Sequence, residues 1–129
     1  MKTRKLAMLA TGLLLGSLMV APVVSASPKD SDGDGFPDNQ NVSNADACIL
    51  SDLSPDVIID WCDPDVPNFV GTDGCTIMDN IEICAALAGS HADFVACVED
   101  ATKAFKQAKI IDNPQRLRIN VCAQQADIP

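Results

Sequence analysis

The chain has 129 residues, with 18 acidic against 9 basic side chains, a formal net charge of −9 and six cysteines. That length sets a ceiling of one compact domain, and the acidic balance excludes nucleic acid and anionic lipid headgroups as partners while favouring cations. With no CxxC pair and a single histidine, zinc and redox sites are set aside, and the even cysteine count reads as a framework of three disulfides.

At the amino terminus, Lys2, Arg4 and Lys5 precede an uncharged apolar run from Leu6 to Val20. Pro22 interrupts that run, and Val24-Ser25-Ala26 supplies small residues at the positions a signal peptidase reads. This order predicts a signal peptide over residues 1–26, cleaved after Ala26; Gly12, Gly16 and the small-residue exit favour cleavage over a membrane anchor. The expected product is secreted or periplasmic and has no membrane insertion. It keeps 6 basic against 18 acidic residues, a net charge of −12. No Lys or Arg occurs from Asp30 to Thr102, and Lys103, Lys106, Lys109, Arg116 and Arg118 crowd into the last quarter.

Residues 27–47 form a polar segment with little to bury. Within it, Asp30-Ser31-Asp32-Gly33-Asp34-Gly35-Phe36-Pro37-Asp38 places carboxylates at alternate positions. On one tight loop Asp30, Asp32 and Asp34 can all turn inward. Gly35 permits the bend that presents the Phe36 carbonyl, and Asp38 reaches the ion directly or through water. Hard oxygen ligands in this order predict a calcium ion, held at roughly 2.3–2.6 Å, and they do not suit zinc, which takes nitrogen or sulfur. The metal ligands are therefore expected to be Asp30, Asp32, Asp34, Phe36 and Asp38. The twelfth position of an EF-hand, a bidentate glutamate, is Asn41 here, and no helical stripe flanks the loop.

The nine-residue pattern resembles the thrombospondin type 3 repeat, whose loops read DxDxDGxxD and lead to an aspartate shortly before a cysteine. Asp46-Ala47-Cys48 resembles that closing element, delayed by the residues from Asn41 to Ala45. The resemblance implies a calcium-binding extracellular module, here in a single copy.

From Cys48 the composition changes. Val57-Ile58-Ile59, bounded by Ser54-Pro55 and Asp63-Pro64, reads as one short strand. The stretch from Cys62 to Cys75, with Pro64, Pro67, Gly71 and Gly74, reads as loop, and Trp61 and Phe69 are expected to pack beneath it. Thr76 can cap a helix with Asp79 completing a capping box. Ile77, Ile81, Cys84, Ala85 and Ala88 share one face, and Gly89 ends the helix. Ser90 and Asp93 repeat the cap, and Phe94, Cys97, Val98, Ala101 and Phe105 make the second stripe. Asn113-Pro114 opens a third helix with Leu117, Val121 and Cys122 as its stripe. Gly89-Ser90 leaves so short a connection that the first two helices run antiparallel.

Cys75 and Cys84 cannot bridge, since nine helical residues span roughly 13.5 Å. Two pairings of the last four cysteines stay open: Cys75 with Cys97 and Cys84 with Cys122, or Cys75 with Cys122 and Cys84 with Cys97. In either case Cys48 joins Cys62. Residues 48–127 are also similar, through Ser51-Asp52-Leu53-Ser54-Pro55, Gly74-Cys75-Thr76-Ile77 and Phe94-Val95-Ala96-Cys97-Val98, to a module of exported bacterial proteins, a resemblance that implies architecture and no activity.

The expected organisation is a signal peptide (1–26), an acidic calcium-binding loop segment (27–47) and a disulfide-rich helical domain (48–129). The fold class is mainly α: a small disulfide-stapled three-helix domain preceded by a calcium-binding loop and one short strand. No nucleophile–base pair, phosphate loop or catalytic metal set is visible; Ser90, His91 and Asp93 lie in one helical turn and project apart. The expected function is an exported non-enzymatic calcium-binding module with a structural, adhesive or assembly role and an extracellular or cell-surface partner. The alternative is a disulfide-bonded helical carrier of a small apolar ligand, which needs a cavity of about 300 Å³ or more between the stripes.

Overall fold

The computed structural model describes residues 28–39 and 41–128; the predicted signal peptide lies outside them. The described part is mainly helical, with α1 at Ile77–Leu87, α2 at His91–Gln107 and α3 at Asn113–Gln125. None of these helices is long and apolar enough to cross a membrane.

Each helix starts where a side chain takes up backbone amides that the helix leaves without partners. At α1 the box is reciprocal: Asp79 N–H donates to Thr76 Oγ1 at 3.1 Å, and Thr76 N–H donates to Asp79 Oδ2 at 2.7 Å. Ser90 caps α2 by accepting from Asp93 N–H. The third helix is capped one residue earlier than expected, by Asp112. Its carboxylate accepts from Gln115 N–H while Gln115 accepts in return from Asp112 N–H, so Asn113 is already helical.

The helices form a sequential antiparallel arrangement in which α2 packs against both α1 and α3. Cys84 of α1 bridges Cys97 of α2. Across the second interface Thr102 Oγ1 donates to Asn120 Oδ1 at 2.8 Å, both residues buried, while His91 near the other end of α2 faces the carbonyls of Gln124 and Ile128. The core joins Ile77, Ile81 and Cys84 of α1, Phe94 and Val98 of α2, and Ile119, Cys122 and Ala123 of α3. The expected stripes of the first two helices are therefore the inner ones, packed on one another.

The third stripe differs. Cys122 is buried as expected, but Leu117 and Val121 are half-exposed, and Ile119, Ala123 and Ala126 face inward in their place. Both sets have helical spacing; the Thr102–Asn120 hydrogen bond and the Cys122 disulfide fix which one turns toward α2.

The segment before α1 contributes Val57, Ile59 and Val66 to the same core. The expected strand at 57–59 does not become part of a sheet: it is extended chain joined by isolated bridges, Asp56 to Pro67 and Ile59 to Cys62. Ile59 and Cys62 exchange both backbone hydrogen bonds, closing a tight turn with Asp60 at φ 56°. Trp61 sits at its tip and is 71% exposed, and Phe69 is also exposed. Neither packs under the loop as expected, because the turn directs residue 61 away from the side on which Ile59 is buried. Arg118 of α3 fastens the following stretch, with Nε donating to Pro64 O at 2.7 Å and Nη2 to Asp65 O at 2.9 Å.

Three disulfides are present: Cys48–Cys75, Cys62–Cys122 and Cys84–Cys97. The third occurs in one of the two pairings left open, but neither pairing is realised, because Cys75 joins Cys48 and not Cys97 or Cys122. The expected Cys48–Cys62 bridge is overturned, because the turn at Cys62 packs on α3 and leaves Cys48 beside the entrance to α1. Three disulfides in so small a domain are the chemistry of an oxidising compartment, extracellular or periplasmic.

The bridges close loops of very different length, which orders their effect on the unfolded chain. Replacing both cysteines of the Cys62–Cys122 pair with alanine, at a separation of 60 residues, is expected to lower the unfolding free energy by about 4 kcal/mol. The Cys84–Cys97 pair, at 13 residues, is expected to contribute about 3 kcal/mol. Urea unfolding of the two variants measures both values and their order.

Candidate metal centre

Glycine backbone makes the acidic loop possible. Gly33 and Gly35 have φ of 84° and 95°, the left-handed region that other residues adopt at a cost, and no neighbouring atom crowds either position. Glycine is required there by the path of the chain. These two reversals let side chains spaced by two residues converge.

Asp30, Asp32 and Asp34 converge, each offering a carboxylate oxygen within 4.8 Å of the others. Oxygens bound to one ion at roughly 2.3–2.6 Å lie at most about 5 Å apart, so separations of this size are compatible with a shared ion. Their remaining valences organise the loop. Asp30 accepts from Gly33 N–H at 2.7 Å and Gly35 N–H at 3.1 Å. Asp32 accepts from Asp34 N–H through Oδ1 and, at 2.7 Å, from Ser51 N–H through Oδ2. Asp34 Oδ1 accepts from Phe36 N–H at 2.8 Å, while its Oδ2 is buried with no hydrogen-bond partner.

The other two expected ligands are placed differently. Phe36 follows Gly35 with its amide tied to Asp34 and its side chain half-buried. Asp38 lies outside the group of three: it accepts from Ser31 N–H at 3.0 Å and Ser31 Oγ at 2.6 Å, and pairs with Lys29 Nζ at 3.2 Å. Together with the Asp38 N–H bond to Lys29 O at 2.8 Å, these contacts close the base of the loop. The Ser31 hydroxyl, with the Ser31 amide and Lys29, holds the Asp38 carboxyl below its ordinary range.

Asp46 lies outside the group of three, close enough for its charge to act on Asp34. Its side chain is fully buried, Oδ1 accepts from Cys48 N–H at 2.7 Å, and its own amide donates to Pro37 O. Gly74 faces it so closely that any side chain there would collide with Asp46 Oδ1. Burial raises the pKa of Asp46 above the usual carboxylate value, and the charges of Asp32, Asp38 and Asp30 raise it further. Asp34 is raised in the same way, by burial first and then by Asp32, Asp46 and Asp30. Asp32 is lowered, chiefly by the Ser51 amide. The donor set is all oxygen, negatively charged and partly dehydrated, which is what a hard divalent cation neutralises.

Ser90, His91 and Asp93 form no relay. Ser90 Oγ donates to Asp93 Oδ2 at 2.7 Å as part of the cap, and the His91 ring turns to Ile128 O at 2.9 Å and Gln124 O at 3.3 Å.

Comparison with known family models, with curated protein sequences and with solved structures gives no match.

The opposite directions at Asp34 and Asp32 give opposite stability effects in the ion-free protein. A carboxyl raised on folding stabilises the fold while protonated, and that contribution fades as pH rises from the ordinary aspartate value of 3.8 through its folded value. A lowered one is stabilising above 3.8 and loses its contribution as pH falls through its folded value. At neutral pH in the presence of a chelator, Asp34→Asn is expected to melt above the parent and Asp32→Asn below it. Thermal melts followed by circular dichroism check both signs.

Proposed function

We propose that the protein is an exported, non-enzymatic module in which the loop at residues 30–46 binds one calcium ion and so orders itself against the disulfide-bonded helical domain. The observation that carries this reading is the convergence of Asp30, Asp32 and Asp34 on a loop bent by two left-handed glycines, with Asp34 Oδ2 buried and without a hydrogen-bond partner. The raised values of Asp34 and Asp46 support it, since both record carboxylates that are buried first and then crowded together, with no Lys or Arg from Asp30 to Thr102 to offset them. The similarity of the loop to a thrombospondin type 3 repeat, and the leader at residues 1–26, point to an extracellular or periplasmic setting, where the disulfides also belong.

In this reading Asp30, Asp32 and Asp34 are the principal ligands, Asp46 contributes charge from beneath, the Phe36 carbonyl completes the set, and Asp38 closes the loop or ligates through water. The role is structural: the ion fixes a segment that has almost no apolar residues to bury. The carrier alternative would need a cavity between the helical stripes, and among the described residues those stripes pack on one another. The apolar groove of about 370 Å³ beside Cys62, Leu117 and Val121 lies on the outer surface of α3.

A ligand that binds only the folded state stabilises it by RT ln(1 + [L]/Kd), about 1.4 kcal/mol at ten times the dissociation constant. For a domain of this size that is a rise in melting temperature of roughly 5–10 °C. Extracellular modules bind calcium at roughly 10⁻⁴–10⁻³ M, so the rise is expected as calcium passes through the millimolar range. Magnesium, which demands a smaller octahedral shell, is expected to give less. Asp32→Ala with Asp34→Ala is expected to remove the response. A parent that melts at the same temperature with and without calcium overturns the reading.

A further inference from the structure

One face of the domain carries large apolar side chains that nothing in the fold covers. Leu50 is 83% exposed and Leu87 78%, and Ile49 and Ile83 are also exposed. Ile83 and Leu87 are four residues apart and so share one side of α1. Ile49 and Leu50 stand beside Ile83, so that Cys48, Ile49, Leu50, Glu82, Ile83 and Ala86 line one groove of about 360 Å³, with Leu87 one turn further along α1. Single exposed apolar residues are ordinary on a protein surface, whereas a contiguous group around a groove marks a contact site.

The loop that presents Leu50 is fastened. Cys48 is bridged to Cys75, Ser51 N–H donates to Asp32, and the single Ser51 hydroxyl proton is shared between Cys48 O and Gly74 O, each at 2.9 Å. Leu50 is therefore held outward by covalent and polar contacts at both ends of its loop. A preorganised apolar side chain loses little conformational freedom on binding.

Charge decides what fits. Glu82 stands in the groove wall, with Asp79 at its foot. The carboxyl end of α1, directly after Leu87, has no basic residue in its last turn, so the negative end of the helix dipole is uncompensated. No Lys or Arg occurs from Asp30 to Thr102. A second copy presenting the same face would bring acid against acid, which disfavours it as the occupant.

We infer that this face docks a cationic amphipathic helix of another protein. The apolar side of that helix lies against Ile49, Leu50, Ile83 and Leu87, and its Lys or Arg side chains meet Glu82 and the carboxyl end of α1. The inference rests on this face and is independent of whether the loop binds calcium.

The test uses the disulfide-bonded protein in millimolar calcium and a fluorescent synthetic helix of leucine and lysine, with leucines at helical spacing, read by anisotropy. Saturable binding that weakens as salt is raised is expected. Leu50→Ser with Ile83→Ser is expected to weaken it about tenfold or more, from the apolar area lost, and Glu82→Lys to weaken it severalfold. Leu117→Ser, on the far groove, is expected to leave it unchanged. All these side chains are exposed, and circular dichroism verifies that each variant is folded. Equal binding by parent and the Leu50/Ile83 variant overturns the inference, as does equal binding of a peptide with glutamate in place of lysine. A dimer in sedimentation that the Leu50/Ile83 substitutions dissociate also overturns it, because the occupant is then a second copy. The melting response to calcium is read separately, so failure of the docking face and failure of the ion site are distinguishable.

Discussion

Between residues 28 and 76 the described chain forms neither a helix nor a paired strand, so its buried amides must find acceptors outside regular secondary structure. Aspartate carboxylates supply them. Gly33 and Gly35 donate to Asp30, Ser51 to Asp32, Phe36 to Asp34, Cys48 to Asp46, and Asp52 and Thr76 to Asp79. Such bonds to an ionised acceptor are stronger than those between neutral partners. They replace a sheet ladder with a set of local and medium-range clasps. The acidic composition is in this sense structural before it is functional.

The same arrangement creates the electrostatic problem at the loop. Each carboxylate that accepts a backbone amide adds negative charge to a segment with no basic residue after Lys29. Lys29 with Asp38 is the ion pair formed there, and Lys29 is largely exposed, so it relieves little. Asp34 and Asp46 carry the strain, both being held above their ordinary range by burial and by neighbouring carboxylates. A proton or a divalent cation can discharge it. At neutral pH the cation is the stronger candidate, because it serves several carboxylates at once where a proton serves one. That reasoning, more than the count of acidic residues, supports calcium in the proposed function.

How far the sequence was legible follows the range of the interactions involved. The Thr76–Asp79 box, the Ser90 cap and the inner faces of α1 and α2 depend on residues within one or two turns, and they stand where local pattern places them. The convergence of Asp30, Asp32 and Asp34 was legible for the same reason, since two glycines and a two-residue spacing are enough to make it. The face of α3 was not, because Leu117/Val121 and Ile119/Ala123 both have helical spacing and a distant residue, Thr102, chooses between them. The bridges to Cys48 and Cys62 depend on where an irregular chain returns to the helices, which spacing does not encode. Trp61 follows from that failure: a hydrophobic residue is assigned to a core until the turn carrying it is known to point outward.

These long-range links also explain how a loop with little to bury can matter to the helices. Asp32 holds Ser51, Asp46 holds Cys48, and the Cys48–Cys75 bridge lies between those clasps and the entrance to α1. Asp52, the next residue after Ser51, donates its amide to Asp79, which is itself half of the box that starts α1. Asn68 adds a parallel connection, donating to Asp52 O and accepting from Met78 N–H. The path from loop to helix is thus a short run of partly buried hydrogen bonds flanked by a covalent bridge. An ion that fixes Asp32 restricts Ser51 and Asp52, and through them the carboxylate that caps α1. Ordering the loop and stabilising the first helix would then be one event.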